Sequence, residues 1–159
     1  MILVLLGTQN NSFYRLLEEV QNCINNGIIK EDVIVQAGNT KFKSNDMKIF
    51  SMISNKKLEK YQKEANFVIT HGGVGSIVGC LKLGKKVIAV PRLKKYDEHV
   101  NDHQLQFVQT FNEQGFIKGI TSVDELEGAI KEIKSFEPKK FISNTNNVIK
   151  IVENFIDNN

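Results

Sequence analysis

The sequence predicts an α/β fold organised around a parallel sheet. Short apolar runs of strand length alternate with longer segments whose apolar residues recur every three or four positions. The first run, residues 2–6 (ILVLL), is apolar without a break, the pattern of a strand covered on both faces. Glycine-bearing turns divide runs from helical segments, at Gly7-Thr8-Gln9-Asn10-Asn11 and at residues 71–75. Strands separated by helices make βαβ units with right-handed crossovers. The 159 residues suffice for one such domain, spanning 1–159.

Each element has a local reason. After the first strand, Ser12 is placed to cap a helix with Phe13, Leu16, Leu17, Val20, Cys23 and Ile24 on one face. Residues 32–36 (DVIVQ) read as a second strand, closed by Ala37-Gly38-Asn39-Thr40. Residues 41–53 are ambiguous and admit a short strand at 47–53. Residues 55–65 are Lys-rich, with Leu58, Tyr61 and Ala65 as a thin apolar stripe, and read as a surface helix. Residues 66–70 (NFVIT) form a strand, 71–75 a Gly-rich turn, and 76–83 a helix closed by Gly84. The strand at 86–90 stops at Pro91. A polar loop, 92–101, leads to a helix over 102–114 with Gly115 as its C-cap, then a short strand at 116–118. Ser122-Val123-Asp124-Glu125 fits a capping box that opens a helix reaching about Lys134. Glu137-Pro138 breaks the chain. A last helix, about 144–156, carries a stripe of Val148, Ile151, Val152, Phe155 and Ile156. The stripe can pack on the sheet or on a partner. The whole reads as a Rossmann-like three-layer domain.

Composition excludes several classes. A hydrophobic share of 41% and a charged share of 25% rule out disorder. A net charge of +3, supplied by lysine except for Arg15 and Arg92, is too weak for nucleic-acid binding. Cys23 and Cys80 form no CxxC and read as buried free thiols in a reducing compartment. The five apolar residues after Met1 are too few for a signal peptide or a span, so membrane contact is expected to be peripheral or through a partner.

Ligands of such sheets sit at the carboxyl ends of strands, over helix N-termini. Three loops qualify: Gly7–Asn11, His71–Ser76 and Pro91–Gln104. His71-Gly72-Gly73-Val74-Gly75-Ser76 is the strongest, because glycines admit a ligand to the backbone and the free N–H groups of a helix start bind a phosphate or diphosphate. Ser76 adds a hydroxyl. The same glycines also fit a tight strand-to-helix turn. In the loop after Pro91, Arg92 and the lysines are candidates for phosphate, and Asp102, His103 and Gln104 for a sugar or ribose. Gly73, Gly75 and Gly79 mimic a dinucleotide fingerprint, with Asp97 near the distance of a ribose-binding acid. The motif, however, follows an internal strand, and the next strand ends in Val90-Pro91 without an acid. His99 and His103, four apart, have no clear third metal ligand. No GxSxG or GxxxxGK[ST] occurs.

The stretch from Val68 to Gly115 resembles the nucleotide-sugar-binding half of family 28 glycosyltransferases, which have the GT-B fold. The resemblance rests on a (S/H)GG-x-G(S/T) turn, here HGGVGS, followed by L-x-x-GK, a strand ending in Pro, and a loop with (D/N)HQ. The opening VLLGTQ is similar to the first-strand loop of that family. The small, single-domain branch is most similar: soluble catalytic subunits paired with a membrane-anchored partner. Within it, the PRLKKYDEHVNDHQ loop most resembles bacterial enzymes of capsular or exopolysaccharide assembly.

The resemblance implies that Gly72, Gly73, Gly75 and Ser76 hold the diphosphate of a UDP-sugar, with Gly7 and Thr8 approaching the same phosphates. Asp102, His103 and Gln104 would contact the transferred sugar or ribose. Larger members carry a ribose-binding acid where this chain has Gly79. The donor would be UDP-galactose or UDP-GlcNAc and the acceptor a lipid-linked saccharide. A membrane-anchored acceptor-binding subunit would hold the protein at the inner face of the membrane, in the cytoplasm. No cofactor or metal is expected, because a helix N-terminus can stabilise departing UDP. An inverting transfer also needs a base, for which His71, His103, Glu98 and the partner are candidates. A non-catalytic nucleotide-sugar-binding module and an NAD-dependent oxidoreductase are the alternatives.

Overall fold

The computed structural model describes residues 1–142 together with Lys150 and Glu153. The last helix expected at about 144–156, with its apolar stripe, lies outside the described residues.

Six strands, β1 (Ile2–Leu5), β2 (Val33–Gln36), β3 (Met47–Phe50), β4 (Phe67–His71), β5 (Val87–Val90) and β6 (Lys118–Gly119), form one parallel sheet. Their order is β3-β2-β1-β4-β5-β6. Central β1 sets Ile2 opposite both Val33 and Phe67. All four of its residues are buried, which explains the uninterrupted apolar run.

The side chains of β1 alternate between two cores. Ile2 and Val4 face helix α1 (Tyr14–Asn25), through Leu16, Leu17, Val20 and Cys23, and helix α5 (Leu126–Ile133), through Leu126, Ala129, Ile130 and Ile133. Leu3 and Leu5 face the other way, to helix α3 (Val74–Lys82), through Ile77, Val78, Cys80 and Leu81, and helix α4 (His103–Glu113), through Val108 and Phe111. Helix α2 (Asn55–Glu64) packs the edges of Leu58 and Tyr61 on that second core. The result is the three-layer, Rossmann-like α/β fold that the sequence predicts.

Some local readings change. Phe13, not Ser12, stands before α1, and the Phe13 N–H donates to Thr40 Oγ1 at 2.8 Å. Burying the Phe13 ring turns its backbone toward the loop after β2, so a distant threonine replaces the local serine. Helix α3 starts two residues earlier than expected, and His71 belongs to the strand rather than to the turn. The sixth strand is shifted to Lys118–Gly119, because Ile117 is fully buried in the second core. The capping box forms: Glu125 Oε1 accepts the Ser122 N–H at 2.9 Å and Ser122 Oγ accepts the Asp124 N–H at 3.4 Å. A 3-10 turn, Val123–Glu125, comes between the box and α5. Both cysteines are buried free thiols, and burial raises each to about 11.

Arg92 is corrected from a phosphate-facing side chain to an internal tie. It is 1% exposed. Its guanidinium donates to the carbonyl oxygens of Leu6 (2.6 Å), Asn11 (2.7 Å) and Glu98 (3.1 Å), and lies over the Phe13 ring. Glu98, also buried, takes a two-pronged ion pair from Arg15 (2.6 and 2.9 Å) and the Leu93 N–H (3.0 Å). The loop after β5 is thereby strapped to the loop after β1. Replacing Arg92 leaves three carbonyls without this donor. Arg92→Met is expected to lower stability by about 3 kcal/mol in urea unfolding, the scale of a broken buried charge network.

Candidate functional site

In a sheet of this order the direction of the crossovers reverses between β1 and β4, and a crevice opens beyond their carboxyl ends. A cleft of about 410 Å³ lies there. The loop after β1 contributes Gly7, Thr8 and Gln9; the end of β4 and the start of α3 contribute His71, Gly73, Gly75 and Ser76. Two sequence-distant segments thus bring Gly7, Thr8, His71, Gly73, Gly75 and Ser76 together. Gln36, Met52, Ile53, Asn55 and Leu58 complete the lining. None of these five is a site candidate in the sequence: Met52 and Ile53 fall in the ambiguous stretch 41–53, and Leu58 reads there only as part of a surface helix's apolar stripe. The polar end of the DVIVQ run was the available signal for Gln36, whose Oε1 accepts the Ile53 N–H at 3.1 Å.

The start of α3 supplies the positive end. The first helical bond runs from the Ile77 N–H to Gly73 O (3.1 Å), leaving the N–H groups of Val74, Gly75 and Ser76 ahead of the ladder. No side chain caps this end and its first turn holds no acidic residue. An anion is the natural partner for such a terminus.

The glycines divide into two kinds. A Cβ on Gly72 would press within 3 Å of Gln104 and Val108, so Gly72 is needed for α4 to approach β4. A Cβ on Gly73 would collide with the His71 ring, and one on Gly7 would lie 2.6 Å from His71 Nε2. These two glycines make the slot for the imidazole. Gly75 meets nothing within 4 Å. A side chain there would project into open space over the helix start, so packing within the protein does not require glycine at this position.

His71 is 7% exposed. Its Nδ1 lies 3.1 Å from Gln104 Nε2, and its Nε2 lies 3.2 Å from Ser76 Oγ. Burial, and then the Arg92 guanidinium, lower this imidazole from the ordinary 6.5 to about 4, so it is neutral at pH 7. Gln104 is 5% exposed, and its Oε1 accepts the Gly72 N–H (3.0 Å) and the Arg92 N–H (3.1 Å). It is a joint between two strand ends, where the sequence suggested a sugar contact. Both polar atoms of its amide are already bonded within the protein.

The other loop candidates lie outside the cleft lining. Asp102 is exposed and its Oδ1 accepts the Lys94 N–H at 2.8 Å. His103 is exposed and starts α4, its N–H on Asn101 Oδ1. His99 Nε2 lies 3.0 Å from Gln9 Nε2, which ties the two loops at the cleft's edge. Gly79 sits within α3, 3.8 Å from Gln62 Nε2 if given a Cβ. Among the described residues no group of three His, Cys, Asp or Glu is arranged to hold a metal.

The family model described as "Glycosyltransferase family 28 C-terminal domain" matches residues 1–158. The chain is 28% identical over 108 residues to "UDP-N-acetylglucosamine transferase subunit ALG13" of Candida albicans, covering 68% of this chain and 35% of that protein. It therefore spans about a third of that relative's length. Two solved structures share the fold. The solution structure of ALG13 has a TM-score of 0.60 at 18% identity, over 94% of this chain and 93% of that one. MurG of Acinetobacter baumannii has 0.55 at 16%, over 95% of this chain and 49% of that one.

The His71 environment carries a pH signature. Unfolded, the ring takes a proton below about 6.5; folded, it does so only near 4. Acid therefore favours the unfolded chain, and stability present above pH 6.5 is lost as the pH falls toward 4. Urea unfolding at pH 7 and pH 4 is expected to show the wild type losing about 3 kcal/mol more than His71→Gln.

Proposed function

The chain belongs to the glycosyltransferase family 28 C-terminal domain family, and from that premise we propose that it is the donor-binding catalytic subunit of an inverting glycosyltransferase. It moves a sugar from a UDP-sugar, galactose or GlcNAc, to a lipid-linked saccharide during capsular or exopolysaccharide synthesis. The observation that carries this reading is the uncapped start of α3, with Gly75 open above it, facing a cleft at the sheet's switch point. The relative named as a UDP-N-acetylglucosamine transferase subunit supports a uridine nucleotide.

In this reading the diphosphate rests on the N–H groups of Val74, Gly75 and Ser76, with Gly7 and Thr8 opposite. Charge builds on the β-phosphate as the glycosidic bond breaks. Fixed N–H dipoles and the Ser76 hydroxyl stabilise it without reorganising, and no metal takes part. Met52, Ile53 and Leu58 give the cleft an apolar wall suited to the base, and Gln9 and Asn55 offer polar groups to the ribose in place of the acid absent at Gly79.

The general base comes from elsewhere. Glu98 is engaged by Arg15, His71 Nδ1 lies against Gln104 Nε2 rather than the cleft, and His103 lies outside the cleft lining. A membrane-anchored acceptor-binding subunit supplies the base, the acceptor site and the attachment to the inner face of the membrane. Residues 1–159 then act as one nucleotide-sugar-binding domain. Among the described residues no helix is long and apolar enough to cross a membrane.

A thermal-shift panel of UDP, UDP-galactose, UDP-GlcNAc, GDP, ADP and NAD tests the ligand class. A uridine ligand at a hundred times its Kd stabilises by about 2.7 kcal/mol, raising the midpoint by roughly 5–10 °C. A response to NAD alone would overturn the proposal. Binding of UDP-sugar with no transfer when the partner is added would leave a non-catalytic module. Gly75→Ala separates ligand from fold: the added Cβ improves the helix by about 0.5–1 kcal/mol, so the free protein is expected to melt no lower while the UDP-induced shift falls sharply.

A further inference from the structure

We propose that Gln104 is a positioning residue that sets the polarity of the Ser76 hydroxyl through His71, so that Ser76 presents its proton to an anion in the cleft. This rests on the proposed diphosphate site and adds to it a residue that does not touch the ligand.

The chain of reasoning is one of donors and acceptors. Strands β4 and β5 pair as far as His71 and Val90, and Pro91 then offers no N–H. Beyond that point Gly72 N–H and Arg92 N–H both aim at Gln104 Oε1, at 3.0 and 3.1 Å. A backbone N–H can only donate, so this atom of the amide is the oxygen and the other is the –NH₂. An amide turned the other way would set its –NH₂ against two N–H groups. The –NH₂ therefore donates to His71 Nδ1 at 3.1 Å, and Nδ1 carries no proton.

The ring is buried and neutral, so its one proton is on Nε2, which donates to Ser76 Oγ at 3.2 Å. Ser76 is then an acceptor toward the protein, and its own proton is directed to the cleft that it lines. The opposite tautomer would take the serine's proton and turn a lone pair toward an incoming phosphate oxygen. The slot between Gly7 and Gly73 leaves the imidazole little room for another orientation.

Two measurements decide this. Long-range ¹H–¹⁵N spectra of the wild-type protein at pH 7 are expected to show His71 with a protonated Nε2 and a bare Nδ1. A protonated Nδ1, or an average of the two tautomers, overturns the proposal whether or not the protein binds UDP. For Gln104→Met, isothermal titration is expected to show UDP affinity reduced roughly tenfold to a hundredfold, the scale of one hydrogen bond to a charged group, with uridine affinity unchanged. In a Ser76→Ala background the same change is expected to have no further effect on UDP. Equal losses in both backgrounds, or a parallel loss of uridine, would assign Gln104 a purely structural role and refute the relay. Failure of the wild type to bind any uridine nucleotide would refute the proposed function instead, while the imidazole spectra would still decide the tautomer.

Discussion

Strand β1 has no exposed face, and the rest of the molecule follows from that constraint. A strand flanked on both sides by parallel neighbours and covered above and below must carry apolar residues at every position. Its alternate side chains feed two separate cores, each needing helices to close it. Parallel pairing in turn needs long crossover connections, each of which carries a helix except the one between β2 and β3; α1 and α5 cover one face, and α2, α3 and α4 the other. The carboxyl ends of β1 and β4 are left side by side with their following segments diverging. The cleft is the geometric consequence of that divergence.

What holds the cleft's rim is polar and buried. Arg92 gathers carbonyl oxygens from Leu6, Asn11 and Glu98, and Gln104 gathers N–H groups from Gly72 and Arg92. These groups lie where the hydrogen-bond ladders run out, so each needs a partner that the sheet cannot supply. Two long polar side chains meet that need from the loop after β5 and the helix behind it. The rim is thereby tied to both strand ends through side chains rather than through the sheet's own ladder.

Within the Gly-rich turn the glycines serve different masters. Gly72 lets a helix approach and Gly73 accommodates an imidazole, both demands of the protein on itself. Gly75 answers no internal demand and opens onto the cleft. A motif that reads as a single phosphate-binding signal therefore combines two packing requirements with one opening. His71, neutral and enclosed, sits between Gln104 and Ser76.

The sequence by itself determined the α/β class, the order of elements, the family, and the residues that start the site. Periodicity and turn chemistry act over a few neighbouring positions, and the HGGVGS motif states its backbone requirements within six residues. Boundaries slipped by one or two residues at β4, α3 and β6, where packing rather than propensity ends an element. Residues 41–53 admitted a strand, which forms at Met47–Phe50, but carried no sign that Met52 and Ile53 line the cleft. Only the tertiary structure decided which polar side chains face inward. Arg92 and Gln104 look like surface ligands in a loop dense with charge, yet both are buried. Their partners, Leu6, Asn11, His71 and Gly72, lie 32 to 86 positions away. A buried polar group is stable only if distant backbone atoms arrive to satisfy it, and local sequence carries no record of that arrival.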